Sequence, residues 1–142
     1  MTTETTVCLS LSSEIFDNES GERECDERRL VGLLRERDGL RRLTYTETSE
    51  GGEIRSELLF SSGRIRLCRT GALRSDIVFA EGLSHASVYE IPPYRFDMVT
   101  VTERLRVAFD DAHGDVELRY RTELGGAVRH CRLTLRITPC DR

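Results

Sequence analysis

Apolar residues recur at every second position along most of the chain, and a period of two admits little except β-sheet. Val7, Leu9 and Leu11 alternate with Cys8, Ser10 and Ser12; Leu43 and Tyr45 alternate with Thr44 and Thr46. Leu73, Ser75, Ile77 and Phe79 alternate with Arg74, Asp76 and Val78. Val116, Leu118, Tyr120 and Leu124 share one face, as do Cys131, Leu133, Leu135 and Ile137. Such segments have one wet and one dry side, the pattern of antiparallel strands covering a core. Turn chemistry separates them at Asp38-Gly39, Glu50-Gly51-Gly52, Ser62-Gly63, Gly71, Glu81-Gly82, Pro92-Pro93, His113-Gly114 and Gly125-Gly126. About eleven strand-like segments result. Consecutive hairpins form a meander, and closing it removes both exposed edges. The expected fold is therefore all-β, an antiparallel meander closed into a barrel of about 8–11 strands.

The 142 residues make one domain large enough to bury its own core. Residues 17–26 read as a polar loop, and residues 1–6 and 139–142 as frayed ends. Residues 27–37, ERRLVGLLRER, fit two readings. Leu30, Leu33 and Leu34 are spaced for a helix, whereas Leu30 and Leu34 alone suit a strand.

Apolar residues make up 38% and charged residues 32%, which describes a soluble globular chain. No apolar run approaches the roughly 18 residues of a membrane helix. The N-terminal stretch lacks a positive region and alternates where a signal peptide would be continuous, so a cytoplasmic location is expected. Net charge is −4, and arginine is interleaved with Glu and Asp even in the basic stretch 27–42. That stretch reads as a solvated face, and neither nucleic acid nor membrane is expected as a partner. All 21 basic residues are arginine, which excludes Schiff-base lysine chemistry and Walker-type phosphate loops. The five cysteines (8, 25, 68, 131 and 140) include no C-x-x-C pair and read as reduced thiols. His130 and Cys131 point to opposite strand faces, and His113 with Asp110, Asp111 and Asp115 reads as a hairpin turn. No metal or other cofactor is expected.

One charge breaks the pattern. In RIRLCRTG, residues 64–71, Arg69 falls on the face of Ile65 and Leu67. Glu47 likewise extends the face of Leu43 and Tyr45. The meander places Glu47 and Arg69 at the same end, two strands or roughly 9–10 Å apart. The expectation is an ion pair across the intervening strand, at one mouth of the barrel, since an inward charge must be paired or wet. It either closes and polarises that end, or leaves Arg69 to receive an anionic or carbonyl group of a ligand. Tyr45, Ser75, Tyr89 and Tyr120 are inward residues with a polar handle, and His85 shares their side through Tyr89.

The same residues carry a family resemblance. Tyr45-x-Glu47, Arg69-x-Gly71, Phe79-x-x-Gly82 and the succession Tyr89, Pro92, Thr102 occur in an order that resembles the bacterial DUF1934 (YwiB-like) proteins over residues 7–138. The resemblance implies a calycin-type, lipocalin-like β-barrel and no established biochemical activity. The stretch Glu90-Ile91-Pro92-Pro93-Tyr94-Arg95 departs from the family's Thr-Pro-Tyr-Gly-like turn, and the absence of Trp rules out the Gly-x-Trp signature of true lipocalins.

No Gly-x-Ser-x-Gly, His-Glu-x-x-His or Gly-x-Gly-x-x-Gly occurs, and no catalytic constellation is expected. The function expected is noncatalytic binding of a small, partly apolar ligand inside the barrel, with Arg69, Glu47, Tyr45, Ser75, Tyr89 and Tyr120 as candidate contacts. The alternative is an assembly module that forms a homodimer or binds a protein through outward Ala86, Val88, Val99 and Val101. A sizeable interior pocket favours the first; a core filled by Phe60, Phe79, Phe96 and Phe109 favours the second.

Overall fold

The two-residue period is realised as ten antiparallel strands in one sheet, described over residues 2–140 of a computed structural model. In chain order they are β1 (Thr2–Asp17), β2 (Arg23–Arg37), β3 (Leu40–Ser49), β4 (Gly52–Ser61), β5 (Arg64–Gly71), β6 (Ser75–Phe79), β7 (Ser84–Ile91), β8 (Tyr94–Asp110), β9 (His113–Leu124) and β10 (Ala127–Pro139). Their spatial order is β6-β5-β4-β3-β2-β1-β10-β9-β8-β7. The first and last strands therefore pair in the middle of the sheet, from Val7 opposite Pro139 to Asp17 opposite Arg129. The edges, β6 and β7, are consecutive in the chain and curl together to nearly close a barrel.

That seam carries one backbone bridge, in which Arg74 and Glu90 exchange hydrogen bonds of 2.8 and 2.9 Å. Further along, the Val78 N–H donates to His85 Nδ1 at 3.4 Å, so an imidazole stands in for a ladder carbonyl. A bulge between Thr102 and Arg104 lets Thr102 hold the β6–β7 corner. Its carbonyl accepts from Gly82 at 2.9 Å and its N–H donates to Leu83 at 3.0 Å.

The inward residues form one core, in which Val7, Leu43 and Ile137 are 0% exposed. One end of the barrel is stoppered. Phe60 meets Phe109 edge-on with ring centres 5.1 Å apart, and the Arg41 guanidinium lies 4.5 Å over the Phe109 ring. Arg41 is itself inward, and its cross-strand neighbour Glu36 approaches Nε at 2.9 Å.

Several expectations are corrected. Residues 27–37 are strand, because β1 and β3 supply ladders on both sides. The polar loop expected over 17–26 shrinks to a turn between β1 and β2. There the Asp17 carboxylate accepts from the N–H groups of Glu19 (2.9 Å) and Ser20 (3.2 Å), which hold it below the usual carboxylate range. Residues 2–6 do not fray, since they pair with residues 33–37, and Pro139 pairs with Val7. Of the expected frayed ends, residues 1, 141 and 142 lie outside the described residues.

The cysteines also differ from expectation. Cys8 and Cys140 form a disulfide, with Cα atoms 5.2 Å apart. Pairing of β1 with β10 brings them together across 132 residues of chain, a proximity that no hairpin rule encodes. Cys25, Cys68 and Cys131 are free. Thiol titration of the chain unfolded without reductant should count the three free cysteines and, after reduction, all five. Five before reduction would contradict the bond.

Candidate functional site

Tight turns assemble a polar row at the other end of the barrel. The turn at Glu50-Gly51 sets Ser49 opposite Gly52, and hence Tyr45 opposite Ser56. The turn at Ser62-Gly63 sets Ser61 opposite Arg64, and hence Ser56 opposite Arg69. Pairing of β5 with β6 then places Arg69 opposite Ser75. Tyr45, Ser56, Arg69 and Ser75 thus lie side by side on the inner surface of four adjacent strands. Two of the four are serines, which leave room where larger side chains would fill the barrel.

A cavity of about 240 Å³ lies beside the Arg69 and Ser75 end of this row, and Ser56 does not reach it. Arg69, Ser75, Tyr89 and Tyr120 line it, four of the six residues expected at the site. Leu67, Ile77, Phe79, Met98 and Leu124 provide its apolar surface. Ser75 is 7% exposed, and neither its hydroxyl nor Arg69 Nε has a hydrogen-bond partner. Tyr45 is buried in the adjoining row and does not reach the cavity.

The expected bridge between Glu47 and Arg69 does not form. Glu47 lies opposite Ile54, two residues nearer the mouth than the level of Arg69. It pairs instead with Arg28 Nη1, from β2. The β2–β3 ladder ends at Gly32 and Tyr45, so this ion pair continues the contact where backbone pairing stops. Arg28 Nε also meets Asp26 at 2.8 Å, and these two acidic partners raise its pKa. Glu47 is only 10% exposed at its side chain, whereas Arg28 is 47% exposed. After discounting for solvent on the arginine, Arg28→Ala should cost about 1–2 kcal/mol in denaturant unfolding. Removing the glutamate as well should recover part of that loss, and an unchanged stability in the single variant would show the pair to be solvated.

Burial sets the protonation of the walls. It pushes the Tyr120 phenol upward, with the Cys131 thiol beside it adding and Arg69 opposing. Burial raises Tyr45 in the same way, and Arg69 again opposes. The Cys131 thiol is also raised, chiefly by burial. Near neutral pH these groups are uncharged, so the phenols serve as neutral hydrogen-bond groups and Cys131 is a poor nucleophile. Among the described residues, no group of three or more His, Cys, Asp or Glu side chains could hold a metal ion.

Three nearby residues were legible by the rule that singled out Arg69. Arg129 and Cys131 share the dry face of Leu133, and both line the cavity. Arg129 stands at the rim, where Asp17 approaches it at 3.6 Å. Arg28 shares the dry face of Leu30 and Leu34, and belongs to the mouth rather than to the solvated face expected of residues 27–42. His85, by contrast, serves the seam.

Phe60 and Phe79 are buried and Phe109 packs against the core, but Phe96 is 38% exposed and fills nothing. Its cross-strand partner is Tyr89, near the β7–β8 tip that also carries exposed Ile91 and Tyr94. On the outer face of that hairpin, Ala86 is exposed while Val88, Val99 and Val101 are half-buried.

Comparisons with known proteins agree on the architecture. The model of the family described as Domain of unknown function (DUF1934) matches residues 10–136. The "Uncharacterized beta-barrel protein YwiB" of Bacillus subtilis (strain 168) is 25% identical over 130 residues, covering 92% of this chain and 90% of that protein. The crystal structure of the ywiB protein from Bacillus subtilis superimposes with a TM-score of 0.82 at 23% identity, covering 94% of this chain and 92% of that one.

Proposed function

Because the chain belongs to the DUF1934 family and folds as a β-barrel, we propose that it is a noncatalytic binding protein that holds a small, partly apolar molecule in the cavity beside Arg69. A difference between two inward arginines carries this reading. At the stoppered end, Arg41 Nε makes no hydrogen bond either, but the Glu36 carboxylate stands 2.9 Å from it and the guanidinium covers the face of Phe109. At the open end, Arg69 Nε is enclosed without a hydrogen bond, and the cavity it lines contains no Asp or Glu to pair with it. A buried polar group left unpaired costs about 1–3 kcal/mol, a cost relieved when a ligand brings an acceptor. At about 240 Å³ the cavity falls below the roughly 300–1,000 Å³ of drug-sized sites, so the ligand is fragment-sized.

Fluorine NMR of a fragment set against the full chain tests the proposal. Some fragments should bind the native protein and bind Arg69→Ala about tenfold more weakly, the weight of one hydrogen bond to a charged group. Near-UV circular dichroism should show the variant folded. Equal binding by both proteins would remove the role of Arg69, and no binding by either would overturn the proposal.

A further inference from the structure

We infer that the ligand of this cavity is a monocarboxylate with a compact apolar body, its carboxylate seated between Arg69 and Ser75. This rests on the binding reading above and narrows it to one chemical class.

Charge is the first argument. The chain has 25 acidic and 21 basic residues, yet the cavity wall contains two arginines and no Asp or Glu. Arg129, one of the two, is engaged at the rim by Asp17. Arg69 is left as the cation with an unused donor, since its Nε has no partner. An anion is thus the complementary occupant, and an amine would meet only like charge.

Donor geometry is the second. Arg69 and Ser75 are directly opposed across the β5–β6 ladder. The Ser75 hydroxyl is also unpartnered, in a side chain more than nine-tenths buried. One guanidinium N–H and one neighbouring hydroxyl offer a donor to each oxygen of a carboxylate.

Surface chemistry and size are the third. Apart from this corner, the wall is mainly the apolar surface of Leu67, Ile77, Phe79, Met98 and Leu124. A dicarboxylate or a phosphate dianion would leave a second charge against that surface without a counterion. A volume of about 240 Å³ equals about eight waters at roughly 30 Å³ each, so the body has about as many non-hydrogen atoms.

Calorimetric titration of the full chain at pH 7 with hexanoate, hexan-1-ol, hexylamine and hexyl phosphate tests the class. Hexanoate should bind about tenfold tighter than hexan-1-ol, and hexylamine should not bind. In Arg69→Ala the preference for hexanoate over hexan-1-ol should disappear while hexan-1-ol still binds, which shows that the cavity survives the substitution. Ser75→Ala should lower hexanoate affinity by a smaller factor, about threefold. Hexan-1-ol binding as well as hexanoate in the native protein would overturn the carboxylate assignment and leave the binding reading standing. Hexyl phosphate binding tightest would overturn it in favour of a phosphate. No binding by any of the four would overturn both.

Discussion

Gly71→Ala is expected to lower the free energy of unfolding by about 3–5 kcal/mol, which combines backbone strain with a steric collision. Gly71 ends β5 at φ +103°, a conformation that side chains rarely adopt. A Cβ there would run into the backbone carbonyl oxygen of Glu53, and backbone cannot swing aside as a flexible side chain can. That same carbonyl accepts the Ala72 N–H at 2.9 Å, so the collision falls on the bond that fixes the corner between β5 and β6. Arg69 and Ser75 flank this corner, and the loss of stability should come with a loss of binding at the cavity. Gly63→Ala is the control. Gly63 has φ +67° with nothing within 4 Å of a built Cβ, and the change should cost about 1–2 kcal/mol, for backbone conformation alone. Equal effects from the two substitutions in guanidinium unfolding would contradict the close approach at Gly71.

Leu43→Ala should cost about 3–4 kcal/mol, the price of a buried leucine whose space does not collapse. Leu43 is 0% exposed, and its side chain packs toward Gly32, where a built Cβ would lie 3.3 Å from Leu43 Cδ1. Leu43 pairs with Leu34, two residues inside the Gly32–Tyr45 pair at which the β2–β3 ladder ends. Leu43 does not line the cavity, so ligand affinity measured under native conditions should stay near that of the unmodified protein. Leu40→Ala, at a residue 55% exposed, should change stability by less than about 0.5 kcal/mol. A cost below about 1 kcal/mol for Leu43→Ala would mean that the barrel interior is loosely packed.

Much of the fold was legible because alternation and turn residues are local signals. Alternation placed Val7, Leu43, Leu118, Leu135 and Ile137 in the core, where the structure has them. It also identified Arg69 as an inward charge near a mouth. The pairing with Glu47 failed because parity names a face but not a level along the strand. The level was nevertheless written in the turns. Counting outward from the two-residue turns at Glu50-Gly51 and Ser62-Gly63 puts Arg69 beside Ser56 and Tyr45, and leaves Glu47 two residues too near the mouth. Arg28 escaped notice because charge density in residues 27–42 suggested solvent, although Arg28 shares a face with Leu30 and Leu34. The disulfide and the position of the seam were not legible in this way. Both follow from β1 meeting β10, a contact between chain ends that depends on how the whole sheet curls. The cavity depends on that curl as well, since β5 and β6 face β9 and β10 across it.

Native mass spectrometry of the protein isolated gently from a bacterial host, beside its Arg69→Ala variant, tests most directly whether the open end of the barrel holds a ligand. The native chain should carry a small noncovalent mass that is lost on denaturation and is depleted in the variant. Bare chains of both proteins, unchanged after addition of hexanoate, would contradict a binding role for the cavity.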